Sequence, residues 1–311
     1  MTESLKKDSA GDDSRCFDGA QCVALLGLGL MGSALTVPLS RARWQVRAWT
    51  RSNRPVEPQR GLVLLADAAE AVAQADFVVA MLADAAAVDD LLFKRGIAEH
   101  MRVGTLFIDM GTTGPTAARE HARLLAKRGI DYLDAPVSGG VRGAKAGNLT
   151  IFVGGDAAAY ERALPLLTSV GRPRRLGALG AGQATKLVNQ IIVAVNIAAL
   201  AEALRLGERQ GLTSTDVVEA LQGGFADSTV LREHGPHMAQ RNYEPGGPCR
   251  MHLKDLRLVQ ELLGGDFPLL AHTFRSLQGF EQLVASGYAD ADHSAYFELY
   301  AALASVPAEH P

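Results

Sequence analysis

Two patterns of hydrophobic and polar positions follow each other along the chain. Up to about residue 182, short apolar runs alternate with Ala-rich stretches of helical periodicity, which predicts a parallel sheet covered by helices on both faces. The expected strands are residues 22–26, 45–49, 77–81, 105–108, 132–134 and 149–153, and the expected helices include 67–74, 85–92 and 115–127. After residue 182 the strand pattern stops, and the remaining pattern is helical up to residue 304. We therefore expect an α/β fold with a doubly wound parallel sheet, followed by an all-α second domain.

The same pattern predicts the domain boundaries. Residues 21–182 form the expected α/β domain, and residues 183–311 form the expected helical domain. Residues 1–20 combine acidic side chains with Ser and Gly and lack the apolar core of a signal peptide, so we expect a disordered tail.

Composition narrows the possible partners. The chain has 31 Lys+Arg against 34 Asp+Glu, and a formal net charge of −3 supplies no global basic field for nucleic acid or an anionic membrane. The apolar stretch 187–204 approaches the length of a membrane span, but Asn189, Asn196 and Glu202 within it favour a buried helix of a soluble protein. The three cysteines lack metal-site spacing, so we expect no metal and a reducing, cytoplasmic location.

A glycine-rich segment, Gly27-Leu28-Gly29-Leu30-Met31-Gly32, directly follows the first expected strand and precedes a helical stretch. In that context the GxGxxG pattern is typical of dinucleotide binding. The first Gly permits a tight turn, the second lets a pyrophosphate approach the backbone, and the third allows close packing. The N-terminus of the following helix offers free N–H groups and a positive dipole end to the phosphates. The sequence therefore predicts a Rossmann-type domain that binds NAD or NADP.

The end of the second expected strand bears on the choice of cofactor. NAD-binding domains of this type usually carry a carboxylate there, whereas this chain has Thr50, Arg51, Ser52 and Arg54. An arginine can pair with the 2′-phosphate of NADP through charge-assisted hydrogen bonds, and the hydroxyls add donors. We favour NADP; NAD stays open, because it can bind without the acidic partner.

Three further segments, read with the glycine loop, resemble the β-hydroxyacid dehydrogenase family of 3-hydroxyisobutyrate dehydrogenase-like enzymes. They are Asp134-Ala-Pro-Val-Ser-Gly-Gly140, Gly180-Ala-Gly-Gln-Ala-Thr-Lys-Leu-Val-Asn189 and the pair Lys254-Asp255. Longer strings, such as 186–204, 223–231 and 241–246, are similar to the tartronate semialdehyde reductase branch. The resemblance implies NAD(P)-dependent reduction of a small semialdehyde acid to a β-hydroxy acid, with tartronate semialdehyde and glycerate as the favoured pair.

By this resemblance Lys186 is the general acid and base of the reaction. Carbonyl reduction needs a proton donor beside the carbonyl oxygen, and burial near a helix start should lower the pKa of this lysine towards neutrality. Asn189 and Gln190 lie three and four residues further on, so they share its helix face. Asn189 joins the expected catalytic set, and Gln190 is an expected substrate ligand, although both amides could simply bond neighbouring helices.

The resemblance also assigns binding roles elsewhere. Ser138, Gly139 and Gly140 would dock the substrate carboxylate, because a hydroxyl and open backbone N–H groups form a nest-like anion site. Met81, Leu82 and Thr112 would line the nicotinamide side of the cofactor, and Lys254 would reach the cofactor from the helical domain. His293 has no orienting partner in the sequence, so we leave it outside the catalytic set.

Several alternatives stay open. A 3-hydroxyisobutyrate or other short β-hydroxyacid dehydrogenase has the same motifs, an imine reductase would characteristically lack Lys186, and a non-catalytic cofactor-binding module would not need it. Helix 187–204 has more apolar surface than one internal packing face uses, so we expect a homodimer or homotetramer in which the helical domain serves substrate binding and assembly.

Overall fold

The computed structural model describes residues 21–52 and 56–304, so the expected disordered tail at residues 1–20 lies outside the described residues. Contacts divide the chain into two compact units, of which the first ends at Gln183 and the second begins at Ala184.

The first unit is built on one sheet, which has nine strands in the described residues. Its strands are β1 (Cys22–Leu26), β2 (Gln45–Trp49), β3 (Leu62–Leu64), β4 (Phe77–Ala80), β5 (Leu106–Asp109), β6 (Asp131–Asp134), β7 (Val137–Ser138), β8 (Leu149–Gly155) and β9 (Gly171–Gly177). The order is β3-β2-β1-β4-β5-β6-β8-β7, with β9 beside β8. Strands β1 to β6 pair in parallel, so their carboxyl ends share one edge. Because β8 runs antiparallel to β6 and β7, the sheet is mixed at that side and not parallel throughout as expected.

Helices cover both faces of this sheet. They are α1 (Leu30–Arg41), α2 (Ala68–Val72), α3 (Ala85–Asp89), α4 (Pro115–Ala126), α5 (Gly140–Ala146) and α6 (Ala157–Val170), with a π-helical turn at Asp90–Lys94 and a 3-10 turn at Ile97–His100. One core cluster joins α1, α5 and α6 to the sheet, as Leu35 and Leu166 illustrate. A separate cluster joins α2, α3 and α4 to the other face, through Val72, Val88 and Leu125. The doubly wound α/β architecture is confirmed.

The expected strands at β1 and β2 have the observed bounds, and the other four differ by one or two residues. Strands β3, β7 and β9 lie outside the prediction. The first two are only three and two residues long, and β9 has the polar sequence GRPRRLG with mostly exposed side chains. Such a strand at the side of a sheet carries no hydrophobic alternation.

The second unit is helical. Helix α7 (Ala181–Arg209) begins in the first unit and continues into the second, where α8 (Ser214–Ala220), α9 (Thr229–Gln240), α10 (Cys249–Leu263), α11 (Ala271–Leu283) and α12 (Ala301–Ala304) follow. Shorter helical segments span Gly264–Leu269, Val284–Tyr288 and His293–Tyr300. Apart from an isolated bridge between Pro248 and Asp292, the described part of this unit contains no β pairing, which confirms the all-α prediction.

Helix α7 is the longest element and is apolar enough to cross a membrane by length and composition alone. Its side chains Ala194, Ile197 and Leu204 are fully buried in the hydrophobic core of the second unit. That packing is typical of a core helix. On another part of its surface Val188 and Ile192 are each 57% exposed.

Candidate active site

The glycine loop between β1 and α1 has the geometry of a dinucleotide-binding turn. Gly27 has a φ of +98°, and a Cβ there would lie 2.6 Å from the Met81 carbonyl oxygen. A Cβ on Gly32 would lie 1.8 Å from the carbonyl oxygen of Gly27, so close packing excludes any side chain there. By contrast, a Cβ on Gly29 would meet nothing within 4 Å. The backbone before α1 is therefore open to a bulky anion, as a bound pyrophosphate requires.

The residues that follow β2 and β4 flank this loop. Leu26 pairs with Trp49 on one side and with Ala80 on the other, and the Gly27 N–H donates to the Trp49 carbonyl at 2.9 Å. Thr50 and exposed Arg51 therefore follow directly beside the loop. The hydroxyls of Thr50 and Ser52 lie 3.3 Å apart, whereas Arg54 falls outside the described residues.

On the opposite side the structure brings Met81, Leu82 and Thr112 towards the loop. The Leu82 side chain would lie 2.9 Å from a Cβ on Gly27, and the Leu82 carbonyl oxygen 2.6 Å from a Cβ on Gly111. Thr112, next to Gly111, is half-buried. The carboxyl ends of β2, β1, β4 and β5 thus present the expected cofactor residues in one row, at the point where the strand order reverses, and this edge fits a nicotinamide dinucleotide.

The expected carboxylate site lies at the turn between β7 and α5. Ser138 pairs with Thr150 of β8, and the two glycines that follow have φ values of +128° and +61°. Gly139 and Gly140 are exposed. L-side chains rarely adopt such φ values, so the glycines are required for the turn, and the exposed backbone can meet an anion.

Lys186 lies in the second turn of α7, because the helix begins at Ala181. Its side chain is buried, and Nζ donates to the Gln190 Oε1 at 2.9 Å. Burial lowers the pKa of Lys186 to about 8, against the opposing attraction of the Asp255 carboxylate. The direction and the cause, burial, are as expected, whereas the helix dipole acts mainly within the first turn and contributes little at this position.

A hydrogen-bonded row fixes the Lys186 side chain. Gln190 Oε1 also accepts from Asn189 Nδ2 at 2.9 Å, and Gln190 Nε2 donates to Asp255 Oδ2 at 2.6 Å. Asp255 Oδ1 pairs with Lys254 Nζ at 2.9 Å. Lys254 lies within α10, one turn after the helix start. The structure thus brings Lys186, Asn189, Gln190 and Lys254 into one cluster around a buried carboxylate that the sequence analysis did not assign.

Two more buried carboxylates lie at the carboxyl ends of β5 and β6. Asp109 accepts from the Gly111 N–H at 3.0 Å, the Thr113 hydroxyl at 2.8 Å and the Tyr132 hydroxyl at 3.0 Å. Asp134 accepts from the backbone N–H of Gly180 and of Gln183, both at 2.8 Å. Burial raises the pKa of both acids, that of Asp134 to about 6. The sequence signal for them was weak: an acidic residue at the end of an apolar strand.

The second unit also contains three contacting histidines. His293 Nε2 lies 3.0 Å from His234 Nε2, and His293 Nδ1 lies 3.3 Å from His252 Nδ1. One ligand atom each of His234, Asp292 and His293 lies within 4.8 Å of the others, a spacing that could hold a metal ion. However, the Asp292 carboxylate already accepts from the Ser294 N–H and hydroxyl and from two glycine N–H groups. These histidines are far apart in sequence, so only the fold reveals the cluster.

Comparisons with known proteins identify the family of the chain. A family model described as the NAD binding domain of 6-phosphogluconate dehydrogenase matches residues 22–190. A second, described as the NAD-binding domain of NADP-dependent 3-hydroxyisobutyrate dehydrogenase, matches residues 180–300. The chain belongs to the β-hydroxyacid dehydrogenase family. It is thus an NAD(P)-dependent oxidoreductase with a Rossmann-type first unit.

Individual relatives cover most of the chain. The 2-hydroxy-3-oxopropionate reductase of Escherichia coli K12 is 37% identical over 88% of this chain and 94% of its own length. An NAD-dependent L-serine dehydrogenase of Pseudomonas aeruginosa is 33% identical over 89% of this chain and 97% of its own. A Mycobacterium tuberculosis 3-hydroxyisobutyrate dehydrogenase solved with L-serine is 31% identical, with a TM-score of 0.76 over 90% of this chain and 99% of that one.

Proposed function

We propose that this dehydrogenase reduces tartronate semialdehyde to glycerate, with Lys186 as the general acid and NADPH as the favoured hydride source. The observation that carries the proposal is a buried lysine with a pKa of about 8, hydrogen-bonded to Gln190. A general acid works best when its pKa lies near the working pH. In solution an unperturbed lysine would hold its proton too tightly, since its pKa is about 10.4.

A nicotinamide cofactor held at this edge would supply the hydride for the carbonyl carbon. Lys186 Nζ gives a proton to the carbonyl oxygen, so an aldehyde becomes a primary alcohol and the ammonium becomes a neutral amine. Only one Lys186 hydrogen bond is formed within the described residues, so the ammonium retains N–H groups that can point to substrate. In the oxidative direction the neutral amine accepts the alcohol proton.

Gln190 holds this lysine, and Gln190 and Asn189 offer polar groups to the substrate. Gln190 is oriented by Asp255, which fixes its Nε2 as the donor and leaves Oε1 to face Lys186 and Asn189. The 2-hydroxyl of tartronate semialdehyde gives Asn189 a partner that methylmalonate semialdehyde lacks. A site built for that hydroxyl discriminates strongly against its absence.

Carboxylate binding is assigned to Ser138, Gly139 and Gly140, whose exposed turn suits an anion. The L-serine bound in the M. tuberculosis relative is also a small carboxylate. Lys254 is assigned to the cofactor by family position, although its contact in the described residues is with Asp255.

The preference for NADPH rests on Thr50 and Arg51 beside the glycine loop, where a carboxylate would mark NAD. One matching family model is described by an NADP-dependent enzyme and one relative is NAD-dependent, so our proposal relies on the local residues. The exposed Val188 and Ile192 of α7 support a homodimer or homotetramer formed through the helical domain. A cytoplasmic location remains part of the proposal.

The test is a steady-state comparison of tartronate, methylmalonate and succinate semialdehydes with NADPH and NADH, for the wild type and Lys186→Ala. We expect tartronate semialdehyde with NADPH to give the highest kcat/KM, and Lys186→Ala to lower kcat by about 10²–10⁴ with cofactor affinity nearly unchanged. Lys127→Ala, an exposed lysine at the end of α4, is the matched control.

Each part of the proposal has its own contrary result. A higher kcat/KM for methylmalonate semialdehyde would favour the 3-hydroxyisobutyrate alternative. Equal affinity for both cofactors would remove the role of Arg51, and retention of more than half the activity by Lys186→Ala would remove the general acid.

A further inference from the structure

Gln183 is a fully buried amide whose side chain, among residues 21–52 and 56–304, bonds only to backbone groups. Its Oε1 accepts from the N–H of Thr113 at 3.0 Å and of Gly114 at 3.1 Å. Its Nε2 donates to the carbonyl oxygen of Gly111 at 2.9 Å. One side chain therefore holds three backbone groups of the loop after β5. Each of them would otherwise be a buried polar group without a partner, which is costly.

The backbone of the same residue is held from another strand. The Gln183 N–H donates to Asp134 Oδ2, and the Gly180 N–H donates to Asp134 Oδ1, both at 2.8 Å. Asp134 is the last residue of β6. Its carboxylate thus satisfies two free N–H groups at the start of α7 and fixes the helix to the sheet edge.

Close packing leaves this helix start little room to move. A Cβ on Gly182 would lie 2.4 Å from the Phe152 carbonyl oxygen and 2.6 Å from that of Asp134. A Cβ on Gly154 would lie 2.7 Å from the Gly182 nitrogen. Two glycines therefore let the first turn of α7 pack directly against β6 and β8, so the backbone of Gln183 is fixed in position.

The loop itself is held from both sides. Asp109 binds the Gly111 N–H and the Thr113 hydroxyl, while Gln183 binds the Gly111 carbonyl and the Thr113 N–H. Between these residues lies Thr112, which the family resemblance places on the nicotinamide side. Lys186 lies three residues beyond Gln183, a rise of about 4.5 Å along the same helix.

We propose that Gln183 is a positioning residue of the dehydrogenase reaction, which locks the Thr112 loop to the first turns of the helix that carries Lys186. The inference rests on the proposed role of Lys186. An amide is the side chain this place needs, because it combines an acceptor for two N–H groups with a donor for one carbonyl. Glutamate lacks the donor, and asparagine is one methylene too short to reach the same atoms.

The test replaces Gln183 by Met, which keeps its approximate volume but removes all three side-chain bonds. Hydrogen exchange of the Thr113 and Gly114 amides should become at least about 10-fold faster, because both lose their acceptor. The kcat should fall by about 10–100-fold, whereas KM for the semialdehyde should change less than about 3-fold. A small displacement of the reacting groups lowers kcat more than it weakens substrate binding.

Two further variants separate positioning from general destabilisation. Gln183→Glu retains the acceptor for both N–H groups, so exchange and kcat should lie between those of the wild type and Gln183→Met. Gln282→Met makes the same change at an exposed position of α11 and should leave both quantities unchanged. The pH at which kcat declines should stay near the Lys186 pKa in Gln183→Met, because Gln183 does not contact that amine.

If the Thr113 and Gly114 amides of Gln183→Met exchange as slowly as in the wild type, Gln183 does not hold the loop and the proposal is overturned. Faster exchange there with unchanged kcat would overturn the positioning role while leaving the contacts as structural. If the wild type reduces no semialdehyde at all, the proposed function fails. The exchange measurement needs no substrate, so it still tests the Gln183 contacts and keeps the two failures apart.

Discussion

Burial shifts the pKa of two acids in the first unit and of two histidines in the second unit in opposite directions. In the first, Asp109 and Asp134 are surrounded by backbone N–H and hydroxyl donors, and burial outweighs these bonds, so the pKa of each carboxyl rises. In the second, His252 and His293 are buried beside one another and near the Lys186 charge, and burial lowers the pKa of both imidazoles. In each case the neutral form is favoured in the folded state. The consequence for stability differs, because an acid becomes neutral by gaining a proton and a histidine by losing one.

The sign of the pH dependence follows for each unit. Asp134 has a folded pKa of about 6, above its unfolded value of 3.8, so the folded first unit binds protons more readily and gains stability as the pH falls below about 6. His252 has a folded pKa of about 3, below its unfolded value of 6.5. Its contribution to stability is present above pH 6.5 and is lost as the pH falls towards 3.

The largest expected effect is therefore acid destabilisation of the second unit. Between pH 7 and pH 5, His252 should lower its free energy of unfolding by about 2 kcal/mol, because the unfolded imidazole binds a proton that the folded one does not. His293 acts in the same direction, because burial lowers its pKa as well. Hydrogen exchange of α10 amides at the two pH values measures this loss. Equal exchange free energies at both would show that the histidines do not control the unit.

How far the sequence predicts these features differs between fold and site. Apolar runs predicted the central strands, because β1 and β4 are buried along their whole length. The polar strand β9 was not predicted, because its exposed positions show no hydrophobic periodicity. The glycine loop was recognisable, since its constraints are local to six residues. Gln183 and Asp109 were not, because their partners are backbone groups brought close only by the folded sheet.

Lys186 was partly predictable, less so than the glycine loop and more so than Gln183 or Asp109. Its family position predicted a titratable role, and the direction of its pKa shift followed from an expected burial. The row from Asp255 through Gln190 to the lysine amine needed the packing of α10 against α7, which no spacing in the sequence encodes.

The next prediction isolates one histidine of the second unit. His252 stacks on Phe280 with ring centroids 4.8 Å apart, so His252→Phe preserves an aromatic ring there while removing a titrating group. The loss of stability between pH 7 and pH 5 should shrink by about 2 kcal/mol, whatever the variant costs at pH 7. Both tryptophans, Trp44 and Trp49, belong to the first unit, so their fluorescence gives an internal control that should not change in pH response. An undiminished loss in His252→Phe would assign the effect to other groups.

The smallest effect concerns Asp134 and has the opposite sign. Lowering the pH from 7 to 5 should stabilise the first unit by about 1 kcal/mol through this carboxyl, because protonation relieves the cost of burying its charge. Asp134→Asn cannot ionise, so the gain from this carboxyl should disappear, while the gain from the raised pKa of Asp109 remains. The amide can accept only through its oxygen, and its NH₂ group would face a backbone donor, so the variant should also be less stable at both pH values. Urea unfolding followed by tryptophan fluorescence at pH 7 and pH 5 separates the two consequences, because the first is a difference between pH values and the second an offset common to both. If the first unit of Asp134→Asn gains as much on acidification as the wild type, the raised pKa of Asp134 is not the source of the gain, and the contrast between the two units rests on the histidines alone.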